Sequence, residues 1–274
     1  MRFVVLGTNC FAQALEQAGK EASVSLLHGG NIDSAELSLV CGSACEVETW
    51  ALTLLQTGMD AAVPGWIVGD TERFYRLHQA FKACGRKLIL LFPERYSPNV
   101  QDVKRILQVG CLGRIGMLEY LYQWPRQCSA LLPLAEALDL ALYLIGDADK
   151  VQGFRSSAEE VDCASLSVRF SNGALMNLAT VCSPHEDWKT VYEWSGSNGN
   201  LAYDSDEARS VRICGEDSVK RRFPMLNTQV CPLRSMLRDL PRVVFTHGPG
   251  AAEEDLRLAA LICKAFGEEG KGNA

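Results

Sequence analysis

The chain is poor in histidine, with 4 in 274 residues, and it has no Cys-x-x-Cys pair, no long basic run and no extended apolar run. Each lack excludes something. Eleven cysteines scattered from Cys10 to Cys263 without metal-ligand spacing argue against a zinc module or a disulfide framework; they read as reduced thiols used as small apolar residues. No metal site is expected. No stretch approaches the about 20 apolar residues of a membrane span, and Met1-Arg2 runs straight into Phe3-Val4-Val5-Leu6 without the core of a signal peptide. A soluble, cytoplasmic protein with no membrane partner is the expectation. Lys and Arg number 27 against 33 Asp and Glu, a net charge of −6, and the only dense basic run is Lys220-Arg221-Arg222. A phosphate backbone would be repelled, so nucleic acid is not an expected partner.

What is present suits a large α/β chain: 47% hydrophobic and 22% charged residues can bury a sizeable core. The first half alternates short apolar runs with helical patterns, as βα units feeding a parallel sheet do. Strands are predicted at Arg2 to Gly7, Ala22 to Leu27, Leu37 to Cys41, Ala61 to Val63 and Lys87 to Phe92. Between them, Ala12 to Ala18 reads as a helix closed by Gly19, Trp50, Leu54 and Leu55 recur at helical spacing, and Thr71 to Cys84 carries Phe74, Leu77 and Phe81 on one face. After a helix at Asn99 to Val109 the pattern changes. Longer strands follow one another from Met117 to Tyr203, with turns at Ser171-Asn172-Gly173 and Ser195 to Gly199, interrupted by a helix at Leu134 to Ile145 and followed by a closing helix at Ala252 to Phe266. The expected architecture is a shortened Rossmann-like parallel sheet domain over 1–115 and an α+β domain with a mostly antiparallel sheet over 116–274, the closing helix packing back on the first.

Four segments in this order resemble the Gfo/Idh/MocA family of NAD(P)-dependent oxidoreductases. They are Phe92-Pro93-Glu94-Arg95-Tyr96-Ser97-Pro98, followed by Lys104; Gly110-Cys111-Leu112-Gly113-Arg114-Ile115-Gly116; Leu138 to Gly146, followed by Val151; and Trp194 to Leu201. The resemblance implies NAD or NADP as cofactor, a small sugar, polyol or similar carbonyl substrate, and a homodimer or higher oligomer formed through the second-domain sheet. It places the cofactor against Gly7, Asn9, Cys10, Phe11, Gly42 and Ser43, and the substrate near Arg95, Tyr96 and Asp139.

Several of the family's positions are altered. A dinucleotide fingerprint needs glycines because the backbone must turn tightly and approach a pyrophosphate at a helix N-terminus. In Gly7-Thr8-Asn9-Cys10-Phe11-Ala12 only Gly7 and Ala12 keep that pattern, and an ordinary strand-to-helix turn capped by Asn9 is the alternative. Where an acidic residue would hold a ribose hydroxyl stands His28, with no carboxylate before Asp33. Residues 29–36 alone separate His28 from Leu37, too few for the helix, strand and helix that the resemblance implies there, so a βα unit is shortened or deleted. The family's catalytic lysine falls on Gly65, leaving Lys87 or another group to substitute, and its Asp-x-x-x-His pair falls on Leu132 and Glu136.

Glu136, Asp139 and Tyr143 stand at i, i+3 and i+7, one face of a helix. Glu136 is the candidate catalytic acid/base; alternatively it complements the helix dipole behind Pro133. Adjacent His185-Glu186-Asp187 do not converge on one ion, and Cys45 lacks a nucleophile motif. An active oxidoreductase and a non-catalytic binding or oligomeric scaffold both remain open, because function lives in the site rather than the fold.

Overall fold

The computed structural model describes residues 2–6, 10–22, 25–28, 37–125, 128–185, 187, 189–204, 210–215, 221–224 and 232–267. The chain divides into two compact units, Met1–Ser97 with Gln229–Ala259, and Pro98–Thr228 with Ala260–Ala274. The division thus falls at 97/98 where the sequence pattern suggested 115, and the first unit takes in a later segment.

The first unit is built on β1 (Arg2–Leu6), β2 (Ser25–His28), β3 (Leu37–Val40), β4 (Ala61–Pro64) and β5 (Leu88–Leu91), all parallel in the order β2-β1-β3-β4-β5. Among the described residues β2 stands at the edge of this sheet, and the segment 29–36, where the shortened βα unit was expected, lies outside them. β3 and β4 are buried along their whole length, as a parallel sheet covered on both faces requires. On one face α1 (Cys10–Ala22) and α6 (Pro232–Thr246) close over Val5, Leu37, Leu39, Ala62, Ile89 and Leu91, with Leu15 and Ala18 from α1 and Leu233, Met236, Leu237, Leu240 and Val244 from α6. α2 (Ala44–Gln56) and α3 (Thr71–Ala83) pack on each other and bury Val47, Leu54, Phe74, Leu77 and Phe81. Asp70 caps α3 by accepting from Arg73 N at 3.2 Å.

Two expectations need correction. α1 does not stop at Gly19 but runs through it to Ala22, because the buried stripe of Leu15 and Ala18 outweighs the low helix propensity of glycine. Helix α6 and the strands β12 (Ser210–Gly215) and β13 (Arg221–Pro224) were not expected at all.

In the second unit an eight-stranded sheet has the order β13-β12-β11-β10-β6-β9-β8-β7. Its remaining strands are β6 (Ile115–Trp124), β7 (Ala148–Ala158), β8 (Val161–Phe170), β9 (Leu175–Cys182), β10 (Lys189–Gly196) and β11 (Gly199–Asp204), and only the β6/β9 pair is parallel. α5 (Leu131–Ile145) packs on β6, β8 and β9, where Leu118, Leu166, Leu178 and Trp194 form the buried face. After α4 (Pro98–Gln108), the segment from Gly110 to Gly116 meets the turn from Trp194 to Leu201. Ser197 N donates to Arg114 O at 2.9 Å and Asn198 N to Leu112 O at 3.1 Å, so close that a Cβ on Gly196 would stand 2.1 Å from Leu112 O. The last helix is α7 (Glu253–Phe266). Among the described residues no helix is long and apolar enough to cross a membrane.

Residues after α6 join the sheet edge. Gly250 N donates to Arg86 O at 2.7 Å, Leu88 N to Gly250 O at 2.9 Å, and Ala251 N to Nδ1 of the buried His78 at 3.0 Å. Burial, then the Lys82 charge, holds the His78 imidazole below its ordinary pKa of 6.5. Below that value the unfolded chain takes up a proton that folded His78 resists, so stability falls as pH drops through this window and is recovered above it. Thermal melts at pH ~7.5 and ~5.5 should show this loss, and His78→Leu should flatten it; an equal slope in the variant contradicts the assignment.

Candidate functional site

In an open parallel sheet a ligand binds beyond the carboxyl ends of the strands, where neighbouring connections leave to opposite faces. Here that point lies between β1 and β3, which stay paired to their ends through Cys41 N donating to Leu6 O at 2.8 Å. The chain leaves β1 into α1 and β3 into α2, whose first turns differ in charge. α1 has no acidic residue in its first turn, so the amides and dipole of that end suit a phosphate. At α2 the Ser43 N–H is already taken by the Glu46 carboxylate at 2.7 Å, and Glu46 N reaches Ser43 Oγ at 3.4 Å. The Ser43 N–H, then the Ser43 hydroxyl, holds the Glu46 carboxyl below its ordinary range, so α2 presents a negative charge. The donor set thus fits a dinucleotide with its phosphates at α1 and an uncharged part over Gly42 and Ser43. Gly7 and Asn9 lie outside the described residues, as do the side chains of Cys10 and Phe11; the backbone of those two opens α1.

At the end of β4 the chain turns through a 3-10 segment, Gly65–Gly69. The buried Phe92 at the end of β5 lies against Gly65, where an added Cβ would stand 2.2 Å from the ring. The place of the resembled lysine is therefore filled by an aromatic ring. Lys87 does not substitute. It precedes β5, at the amino-terminal end of the sheet, about 16 Å of strand from Phe92, and its Nζ donates to Val244 O at 2.6 Å. Beyond Phe92, the Arg95 guanidinium lies 5.0 Å from that ring's centroid and 3.5 Å from Glu254. Tyr96 donates to Asp239 at 3.0 Å, and burial, then Asp239, pushes its hydroxyl up to about 12. Both line a cavity of about 90 Å³ with Phe92, Met236, Leu240 and His247.

In the second unit the start of α5 is fixed by two buried hydrogen bonds. Ala130 N donates to Asp162 at 3.0 Å and Thr180 Oγ1 to Ala130 O at 2.9 Å, while Arg155 pairs with Asp162 at 2.6 Å. Leu132 and Glu136 are half-buried and Asp139 is 4% exposed, a depth that suits a structural carboxylate better than one meeting substrate. One helical face does carry Glu136, Asp139 and Tyr143, and the Tyr143 ring is covered by Lys104 Nζ at 3.5 Å from its centroid. His185 pairs with Glu160 at 2.9 Å in the open, and among the described residues no three His, Cys, Asp or Glu side chains gather around a metal position.

No protein-family model matches the chain, and no curated protein matches it by sequence. Solved structures do. Biliverdin reductase from Synechocystis, solved with biliverdin and NADP+, superposes with a TM-score of 0.76 at 13% identity, covering 96% of each chain. Levoglucosan dehydrogenase in complex with NADH gives 0.76 at 13%, over 99% of this chain and 97% of that one. UDP-N-acetylglucosamine 3-dehydrogenase from Acidithiobacillus ferrooxidans gives 0.74 at 15%, over 97% and 96%.

The chain has the fold of the Gfo/Idh/MocA-type oxidoreductases.

Against that fold, the ring at Gly65 is the feature the sequence reading missed; its only signal was a glycine in a lysine's place with an aromatic residue ending the next strand. Gly65→Ala should cost about 1–3 kcal/mol by overpacking and Phe92→Ala about 3–5 kcal/mol by cavity formation. The double variant should cost clearly less than their sum, because removing the ring removes the clash. Denaturant melts of the three proteins check this, and strict additivity contradicts the contact.

Proposed function

We propose that the protein binds NAD or NADP on its first unit and acts as an oxidoreductase on a sugar, polyol or similar small carbonyl compound. The observation that carries this reading is the first turn of α1, free of acidic residues, beside the β1/β3 switch point. The extent of the fold likeness supports it: three structures of this fold, named for a dehydrogenase or reductase activity, align over nearly their whole length. Gly7, Asn9 and the backbone of Cys10 and Phe11 would hold the phosphates, with Gly42 and Ser43 beside the nicotinamide. When bound, that ring donates or accepts the hydride. Glu136, in the first turns of α5, is the carboxylate assigned to hold or release the substrate proton. Arg95 and Tyr96 are assigned to orient the substrate, while the buried Asp139 is left a structural role.

A second reading is favoured by the Phe92 ring at Gly65: a non-catalytic relative that keeps the fold as a binding, regulatory or oligomeric scaffold. Self-association through the outer face of the eight-stranded sheet suits either reading. That face carries the exposed Phe154 and Leu175 and a broad depression of about 390 Å³ lined by Leu121, Ala179 and Val191. Eleven cysteines scattered without disulfide or metal-ligand spacing suit a reducing compartment, and with it a cytoplasmic location.

Calorimetric titration with NADH and NADPH is the test. A dissociation constant in the micromolar range supports the first unit's role; no binding at millimolar cofactor removes the oxidoreductase. Given binding, Glu136→Gln should abolish hydride transfer with unchanged cofactor affinity. Unchanged turnover takes Glu136 out of the mechanism.

A further inference from the structure

Two thiols meet where α5 begins. Cys128, three residues before that helix, has its Sγ 3.5 Å from Sγ of Cys182, the last residue of β9. Cys182 is fully buried, while Cys128 is partly exposed. A disulfide needs about 2.05 Å between sulfurs and Cβ atoms about 3.8 Å apart, within reach of a small side-chain rotation from this contact. The surroundings are firm. Next to Cys128, Ala130 is held through its N–H by Asp162 and through its carbonyl by Thr180, and Asp162 stands opposite Cys182 in the β8/β9 register. The two sulfurs are thus presented to each other by a braced backbone.

We propose that Cys128 and Cys182 are a hydroperoxide-sensitive thiol pair that closes to an intramolecular disulfide and locks the start of α5 to β9. The partly exposed Cys128 reacts first. Its thiolate attacks a peroxide oxygen, the S–O bond forms as O–O breaks, and the leaving hydroxide takes up the thiol proton as water. Cys128 is then a sulfenic acid and the peroxide is reduced. Cys182 loses its proton and attacks the Cys128 sulfur; S–S forms, S–O breaks, and hydroxide leaves with that proton as a second water. Two thiols and one hydrogen peroxide give one disulfide and two waters. The neighbouring sulfur, then burial, holds the Cys182 thiol above its ordinary pKa, which suits a resolving thiol that stays protonated until Cys128 is oxidised. Because the bond closes a long loop and ties a helix start already fixed by Asp162 and Thr180, it should raise stability rather than distort the fold.

The full-length protein, treated with hydrogen peroxide, alkylated and digested without reductant, tests this directly. The expected result is loss of two of the eleven thiols, a linked peptide pair carrying Cys128 and Cys182, a higher Tm, and reversal by dithiothreitol. Cys128→Ser should abolish the linked pair, while Cys163→Ser, in the neighbouring strand, should leave it intact. Overturning results are Cys128 oxidised to sulfinic acid with Cys182 still alkylable, a linkage of Cys128 to Cys163 instead, or only intermolecular links through the exposed Cys45, Cys84 and Cys111.

Discussion

A parallel sheet cannot leave a face in water, and the covering of this one by α6 is the constraint on which the first unit rests. On the five-stranded sheet of the described residues, Val5, Leu39, Ala62 and Ile89 have to be buried on the α1 side. Leu233, Met236, Leu237, Leu240 and Val244 supply that cover, each contributing about 1.5–3 kcal/mol on burial. From α6 the constraint spreads along β5. Lys87 is drawn to the Val244 carbonyl, Tyr96 to Asp239, and Gly250, after α6, bridges to the residues that enter β5. Groups the resemblance assigns to substrate or could recruit as a replacement base are thereby in contact with a packing helix.

The switch point is a property of the sheet topology, and the start of α1 beside it carries no acidic side chain. The proton-handling positions are side-chain properties. Gly65 does not merely omit a lysine, because Phe92 occupies the space and a ring of that size is not displaced cheaply from a packed edge. The start of α5 is braced at Ala130, next to the meeting of Cys128 and Cys182.

How much of this was legible in the sequence depends on the kind of signal. Buried parallel strands such as Ala61–Pro64 and Leu88–Leu91 read as apolar runs, and of the glycine motifs at 110–116 and 194–201 the structure leaves no room for a Cβ at Gly113 and Gly196. Helix α6 was missed. Its stripe of Leu233, Met236, Leu237, Leu240 and Val244 does recur at helical spacing, but Pro241 inside it is a local signal against a helix that the packing on the sheet overrides. Gly19 misled in the opposite direction, a local stop signal overridden by packing. The vacant lysine position was visible, whereas the ring that fills it and the meeting of Cys128 with Cys182 join residues far apart in the chain and have no periodicity to betray them.

The central claim is that the first unit keeps a dinucleotide site at the β1/β3 switch point while the lysine position is closed by Phe92. A crystal structure of the protein grown with NADPH tests it most directly. The account requires the pyrophosphate at the start of α1, the nicotinamide half beside Gly42 and Ser43, and the Phe92 ring still against Gly65. Cofactor bound elsewhere, or a Phe92 ring swung away to admit a lysine from another segment, would contradict it.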